Sequence, residues 1–81
     1  MQMSRTEIIQ KLRELLEDTL GTSRELREEQ RLMEDLGLSS VDMLYLIIAT
    51  EETFGIRFEN LGIRDLQTVG AVADYIEEHR R

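Results

Sequence analysis

No cysteine and no proline occur in this chain, and histidine occurs once. The missing cysteines exclude disulfides, thiolate nucleophiles and zinc–thiolate centres together. The sole histidine, His79, lies in the charged stretch Glu77-Glu78-His79-Arg80-Arg81. There it is expected to be a solvated residue near a helix C-terminus, where a partly positive ring suits the helix dipole. No Ser–His–Asp arrangement follows from a histidine so placed. A phosphate-binding glycine loop, an HExxH helix and an EF-hand calcium loop are also missing. The chain is therefore expected to be neither an enzyme nor a metal protein.

Long apolar runs are lacking too. No stretch approaches the roughly 20 apolar residues that span a bilayer. The opening Met1-Gln2-Met3-Ser4-Arg5 leads straight into an amphipathic pattern, without the apolar centre of a signal peptide, so the expected compartment is the cytoplasm. Positive charge is scarce: 10 basic residues face 17 acidic ones, for a net charge of −7. Nucleic-acid binding needs Lys and Arg to neutralise phosphates, and this balance argues against it. An acidic surface favours and steers partners with basic docking patches, although it serves solubility equally well. No repeat or low-complexity linker divides the 81 residues, so a single domain over 1–81 is expected. A chain of this size buries only about 60–65% of its unfolded surface, which implies modest stability.

What is present is helical periodicity. Ser4 and Glu7 match a capping box, and Ile8, Leu12, Leu15, Leu16 and Leu20 then share one stripe of period 3.6 before Gly21. This predicts a helix over about Thr6–Leu20. Residues 21–39 form a long connection with apolar anchors at Leu26, Leu32, Met33, Leu36 and Leu38, and a helical turn is possible over Arg24–Gln30. A second helix is predicted over Ser40–Phe54, capped by Ser39 with Asp42 as its box partner and stopped by Gly55. A short helix or irregular turn is expected over Glu59–Leu66. A last helix opens on the Thr68 cap and carries Val69, Val72, Ala73 and Ile76. The fold class is all-α: a small bundle of three longer helices plus one short one.

The second helix is apolar on two sides. Met43, Leu46, Ile47, Thr50 and Phe54 make a core stripe, while Val41, Leu44, Tyr45 and Ile48 gather roughly 150° away. Either the 21–39 connection folds over this second face, or the face meets solvent and partners. In the latter case Val41, Leu44 and Ile48 are apolar contacts, with Asp42, Glu51 and Glu52 as acidic surroundings. The hydroxyl of Thr50 either bonds back to the Leu46 carbonyl or greets a polar β-oxygen of a cargo.

The stretch Glu34-Asp35-Leu36-Gly37-Leu38-Ser39-Ser40-Val41-Asp42 resembles the prosthetic-group site of the acyl carrier proteins. That signature is a glycine, a variable residue and Asp-Ser-Leu at the start of a second helix. Here it reads Gly37, Leu38 and Ser39-Ser40-Val41. Arg31–Gly37, Glu51–Ile56, Thr68-Val69 and Ala73–Ile76 extend the likeness over nearly the whole chain, with 21–31 only loosely matched.

The resemblance implies an acyl-carrier bundle with 4′-phosphopantetheine on Ser40. Matching the motif without a gap through Gly37 and Asp42 leaves Ser39 as cap. It implies a monomeric carrier of thioester-bound acyl groups in a fatty-acid, polyketide or specialised lipid pathway. Implied partners are a phosphopantetheinyl transferase, an acyl-loading ligase or transferase, and ketosynthase or acyltransferase-type enzymes. These would dock on Val41, Asp42, Leu44, Tyr45, Ile48, Glu51 and Glu52. An acyl pocket is implied among Leu46, Thr50, Phe54, Phe58, Leu66 and Ala73, each sheltered CH₂ being worth about 0.8 kcal/mol. Two residues depart from the family pattern. Ser39 replaces the usual aspartate, and Tyr45 stands where fatty-acid carriers commonly have an acid, which suggests a dedicated pathway. The alternatives are a peptidyl or aminoacyl carrier, or a helical interaction module that never carries an arm.

Overall fold

The computed structural model describes residues 3–21, 25–58 and 66–79. Three helices are found among them: α1 (Arg5–Leu20), α2 (Ser40–Phe54) and α3 (Val69–His79). Each begins where a side chain takes up orphan amide groups. Ser4 and Glu7 form both bonds of a capping box on α1, Ser39 and Asp42 do the same on α2, and Thr68 Oγ1 accepts from the Ala71 amide at 3.0 Å. The first two helices end at glycines in the left-handed region, Gly21 (φ 76°) and Gly55 (φ 67°). The helix α1 thus starts one residue before its predicted start. The short helix expected over Glu59–Leu66 falls mainly on 59–65, outside the described residues; Leu66 is described and buried.

The helix stripes meet in one core. Ile8, Leu12 and Leu16 of α1 pack with Met43, Leu46 and Phe54 of α2 and with Val69, Val72, Ala73 and Ile76 of α3. The long connection joins this core through Leu32, Leu36 and Leu38, which are buried, and Leu26, which is half-buried. Met33 does not join it. At 38% exposure it is on the surface, because the turn that buries Leu32 and Leu36 aims the residue after Leu32 outward. Arg27 to Gln30 make only a turn, closed by the Gln30 amide on the Arg27 carbonyl at 3.1 Å.

Backbone bonds clip this connection to the start of α3. Leu32 N–H donates to Gln67 O (2.8 Å), Val69 N–H to Gln30 O (3.1 Å) and Gly70 N–H to Glu28 O (2.9 Å). Gly70 permits the approach: a Cβ there would lie 3.1 Å from the Glu28 carbonyl oxygen. Arg5 adds a polar clasp over the same region. Its guanidinium reaches Glu28 (2.5 Å), Asp74 (2.6 Å) and Glu77, joining α1, the connection and α3. The hydrogen bond from Arg5 holds the Glu28 carboxyl below its ordinary range.

A carboxylate lowered on folding contributes stability that is present above its unfolded pKa and fades as pH falls through the folded one. Glu28→Gln is therefore expected to lower the thermal midpoint at neutral pH. The difference from wild type should shrink as the pH falls below about 4.5, the ordinary value for this carboxyl. Paired melting curves across that range check it. The effect is small, since Glu28 is half exposed and solvent screens the pair. Among the described residues, no helix is long and apolar enough to cross a membrane.

Candidate functional site at the start of the second helix

The approach to α2 is built to present one hydroxyl. Leu38 is buried and its amide donates to Leu32 O at 3.1 Å, which fixes the chain to the core just before the helix. Gly37, at φ 77°, makes the reversal that brings Leu38 inward. A side chain at that φ would cost roughly 1–2 kcal/mol. Ser39 is extended (φ −84°, ψ 173°) and caps the helix: its Oγ accepts the Asp42 amide at 3.1 Å, while Asp42 Oδ2 accepts the Ser39 amide at 3.0 Å. Ser40 follows as the first helical residue and is exposed.

The two adjacent serines therefore differ in kind. Ser39 holds the cap; Ser40 Oγ makes no hydrogen bond among the described residues. Of the four amides that begin a helix without an intrahelical acceptor, the capping box takes those of Ser39 and Asp42. Those of Ser40 and Val41 remain for an anion, where the helix dipole also favours negative charge. The Asp42 carboxylate is turned onto the Ser39 amide. These residues fit a serine phosphodiester: an accessible hydroxyl, two unspent amides and no competing side-chain bond.

The predicted docking residues separate into two groups. Val41 (75% exposed), Leu44 (58%), Tyr45 (56%) and Ile48 (49%) form one solvent-facing stripe, which the described residues of the connection do not cover. Glu52 is exposed at its far end, whereas Asp42 and Glu51 are half-buried and each accepts a backbone amide, Asp42 that of Ser39 at the helix start and Glu51 Oε2 that of Phe58 at 2.9 Å.

The residues expected around a cargo are core. Leu46, Thr50, Phe54, Leu66 and Ala73 are buried, and Phe58 is half-buried with its ring 4.7 Å from that of Tyr75. Thr50 Oγ1 donates to Leu46 O at 2.7 Å, the first of its two sequence readings. A narrow apolar crevice, too small to hold a water molecule, lies between Leu12, Leu16, Leu32, Leu46, Val69 and Val72. It shares only Leu46 with the predicted lining. Its walls come from all three helices and the connection, and no local periodicity connects them. His79 ends α3, exposed, with its ring stacked 3.8 Å from Tyr75.

A family model described as a phosphopantetheine attachment site matches residues 10–76. An acyl carrier protein of Thermotoga maritima is 33% identical over 93% of this chain and 94% of its own length. One of Rubrobacter xylanophilus is 37% identical over 96% of this chain and 98% of its own. The chain belongs to the acyl carrier protein family. The three-dimensional comparison agrees: a Mycobacterium tuberculosis chain provisionally named an acyl carrier protein superposes with a TM-score of 0.75. It is 27% identical, over 88% of this chain and 96% of that one. The prosthetic group of this acyl carrier protein is 4′-phosphopantetheine.

Proposed function

We propose that Ser40 bears the phosphopantetheine arm and that the whole chain, 1–81, works as one monomeric carrier domain in the cytoplasm. The contrast between the two serines carries this reading: Ser39 is committed to the cap, and Ser40 is exposed beside two unspent amides. Bound there, the arm supplies the thiol that this cysteine-free chain lacks, on which an acyl group is held as a thioester.

The protein's own part is mechanical and electrostatic. Gly37 and Leu38 set the position of the helix start, and the capping box keeps it from fraying. The amides of Ser40 and Val41 stabilise the phosphodiester charge. A flexible tether on a rigid helix end gives each docked enzyme a high effective concentration of cargo. A phosphopantetheinyl transferase would modify Ser40, a ligase or transferase would load it, and ketosynthase or acyltransferase-type enzymes would use the cargo. Tyr45, on the face these partners meet, favours a dedicated lipid or polyketide pathway over general fatty-acid synthesis.

Incubation with coenzyme A and a broad-specificity phosphopantetheinyl transferase tests the proposal. Intact mass is expected to rise by one phosphopantetheine, and fragmentation is expected to locate it on Ser40. An unchanged mass would leave a non-carrying interaction module as the better account.

A further inference from the structure

Residues 28–36 carry no helix, yet they hold together as one piece. The Arg31 carbonyl accepts the amides of Asp35 (2.8 Å) and Leu36 (3.1 Å), and Asp35 Oδ2 accepts the Arg31 amide at 2.7 Å, so the turn keeps its own shape. Its hold on the rest of the fold is of another kind. The first amides of a helix lack intrahelical acceptors. In α3 those of Val69 and Gly70 turn to the carbonyls of Gln30 and Glu28, whereas Ala71 is served by Thr68 Oγ1 from the helix's own start. The Leu32 amide returns a bond to Gln67 O. Leu32 also closes the crevice whose other walls, Leu12, Leu16, Leu46, Val69 and Val72, all belong to helices. Arg5 clasps the outer end by sharing its guanidinium among Glu28, Asp74 and Glu77. Without that cation, Glu28 on the connection would repel the two carboxylates of α3.

We propose that residues 28–36 form a strap that lifts off the core as one unit, hinged at Gly37 and locked by Arg5. Of the strap's side chains only Leu32 and Leu36 are buried, and a segment with so little burial opens at lower free energy than the helices. Gly37, at φ 77°, has the backbone freedom a hinge needs. The helices do not depend on the strap to stay together, because Ile8, Leu12 and Leu16 of α1 pack in one core with Met43 and Leu46 of α2 and Ile76 of α3. Lifting opens the crevice on the Leu32 side. It also breaks the bond from Leu38 N–H to Leu32 O, which steadies the chain two residues before Ser40. The closed strap therefore keeps the core shut and the start of α2 fixed, and Arg5 acts on both from the far end of α1. This is a property of the unmodified chain and does not rest on Ser40 bearing the arm.

Amide hydrogen exchange of the unmodified full chain, read by NMR where reclosing outruns exchange, tests the strap. The amides of Leu32, Leu38, Val69 and Gly70 are expected to share one protection factor, at least about tenfold below those of Leu46 and Ile47 inside α2. Ala71, bonded to Thr68, should stay with the better protected group. Arg5→Ala is expected to speed exchange of the four strap amides about threefold, the scale of an exposed ionic clasp. It should speed Leu46 and Ile47 equally, since global unfolding breaks the clasp as well. The separating variant is Ile76→Val. It weakens packing that the closed and lifted forms both keep and that only unfolding loses. Exchange at Leu46 and Ile47 should then rise about fivefold, while the four strap amides hold their wild-type rates.

Strap amides as well protected as Leu46, and quickened by Ile76→Val, would mean that the strap opens only with the whole fold, and the inference falls. It falls too if Arg5→Ala leaves those amides unchanged, for then Arg5 locks nothing. An Ala71 amide as weakly protected as Val69 and Gly70 would place the opening in a fraying α3 instead.

Discussion

Ser40→Ala is expected to abolish arm attachment completely, while Ser39→Ala keeps it and loses stability instead. The two residues are chemically identical neighbours, so the contrast isolates geometry. Ser40 offers an exposed hydroxyl with no side-chain bond among the described residues, and its removal leaves nothing at the helix start to esterify. Ser39 Oγ accepts the Asp42 amide at 3.1 Å, and losing a cap of this kind costs about 1 kcal/mol. Intact mass after treatment with coenzyme A and transferase reads the first effect, and urea unfolding reads the second. Attachment lost in Ser39→Ala but kept in Ser40→Ala would reverse the assignment.

A second large effect is expected from the core. Ile76 on α3 is fully buried, and Ile76→Ala should cost about 2–5 kcal/mol through lost transfer energy and the cavity left behind. For a chain this short, total stability is of order 4–12 kcal/mol, so the loss is a large share. Near 3 kcal/mol, the thermal midpoint should fall by about 12–24 °C. Ile48→Ala makes the same chemical change on the exposed face of α2 and should stay within about 0.5 kcal/mol of wild type. Chemical denaturation of both variants compares the two sites. Equal losses would mean that the outer face of α2 is covered in the free protein.

Much of this molecule is legible without coordinates. Capping boxes at Ser4–Glu7 and Ser39–Asp42, the stop glycines and the 3.6-residue stripes place the helix ends to within a residue. Each of these signals acts between residues at most a few positions apart, so it survives in the sequence. The connection was harder. Leu32, Leu36 and Leu38 serve as anchors, but Met33 does not. An irregular segment has no period from which to tell which apolar residue turns inward.

The site divides along the same line. Adjacency in the chain determined the helix start, its cap and the position of Ser40 one residue inside it. The sequence also disclosed that α2 is apolar on two sides, but not which side the rest of the chain covers. Only the tertiary structure decided that, by packing α1, α3 and Leu32 against one side and leaving Val41, Leu44, Tyr45 and Ile48 in solvent. It alone turned Glu51 onto the Phe58 amide, gathered Arg5 with Glu28, Asp74 and Glu77, and drew the crevice walls from all three helices. These are contacts between residues far apart along the chain, and local propensity carries no record of them.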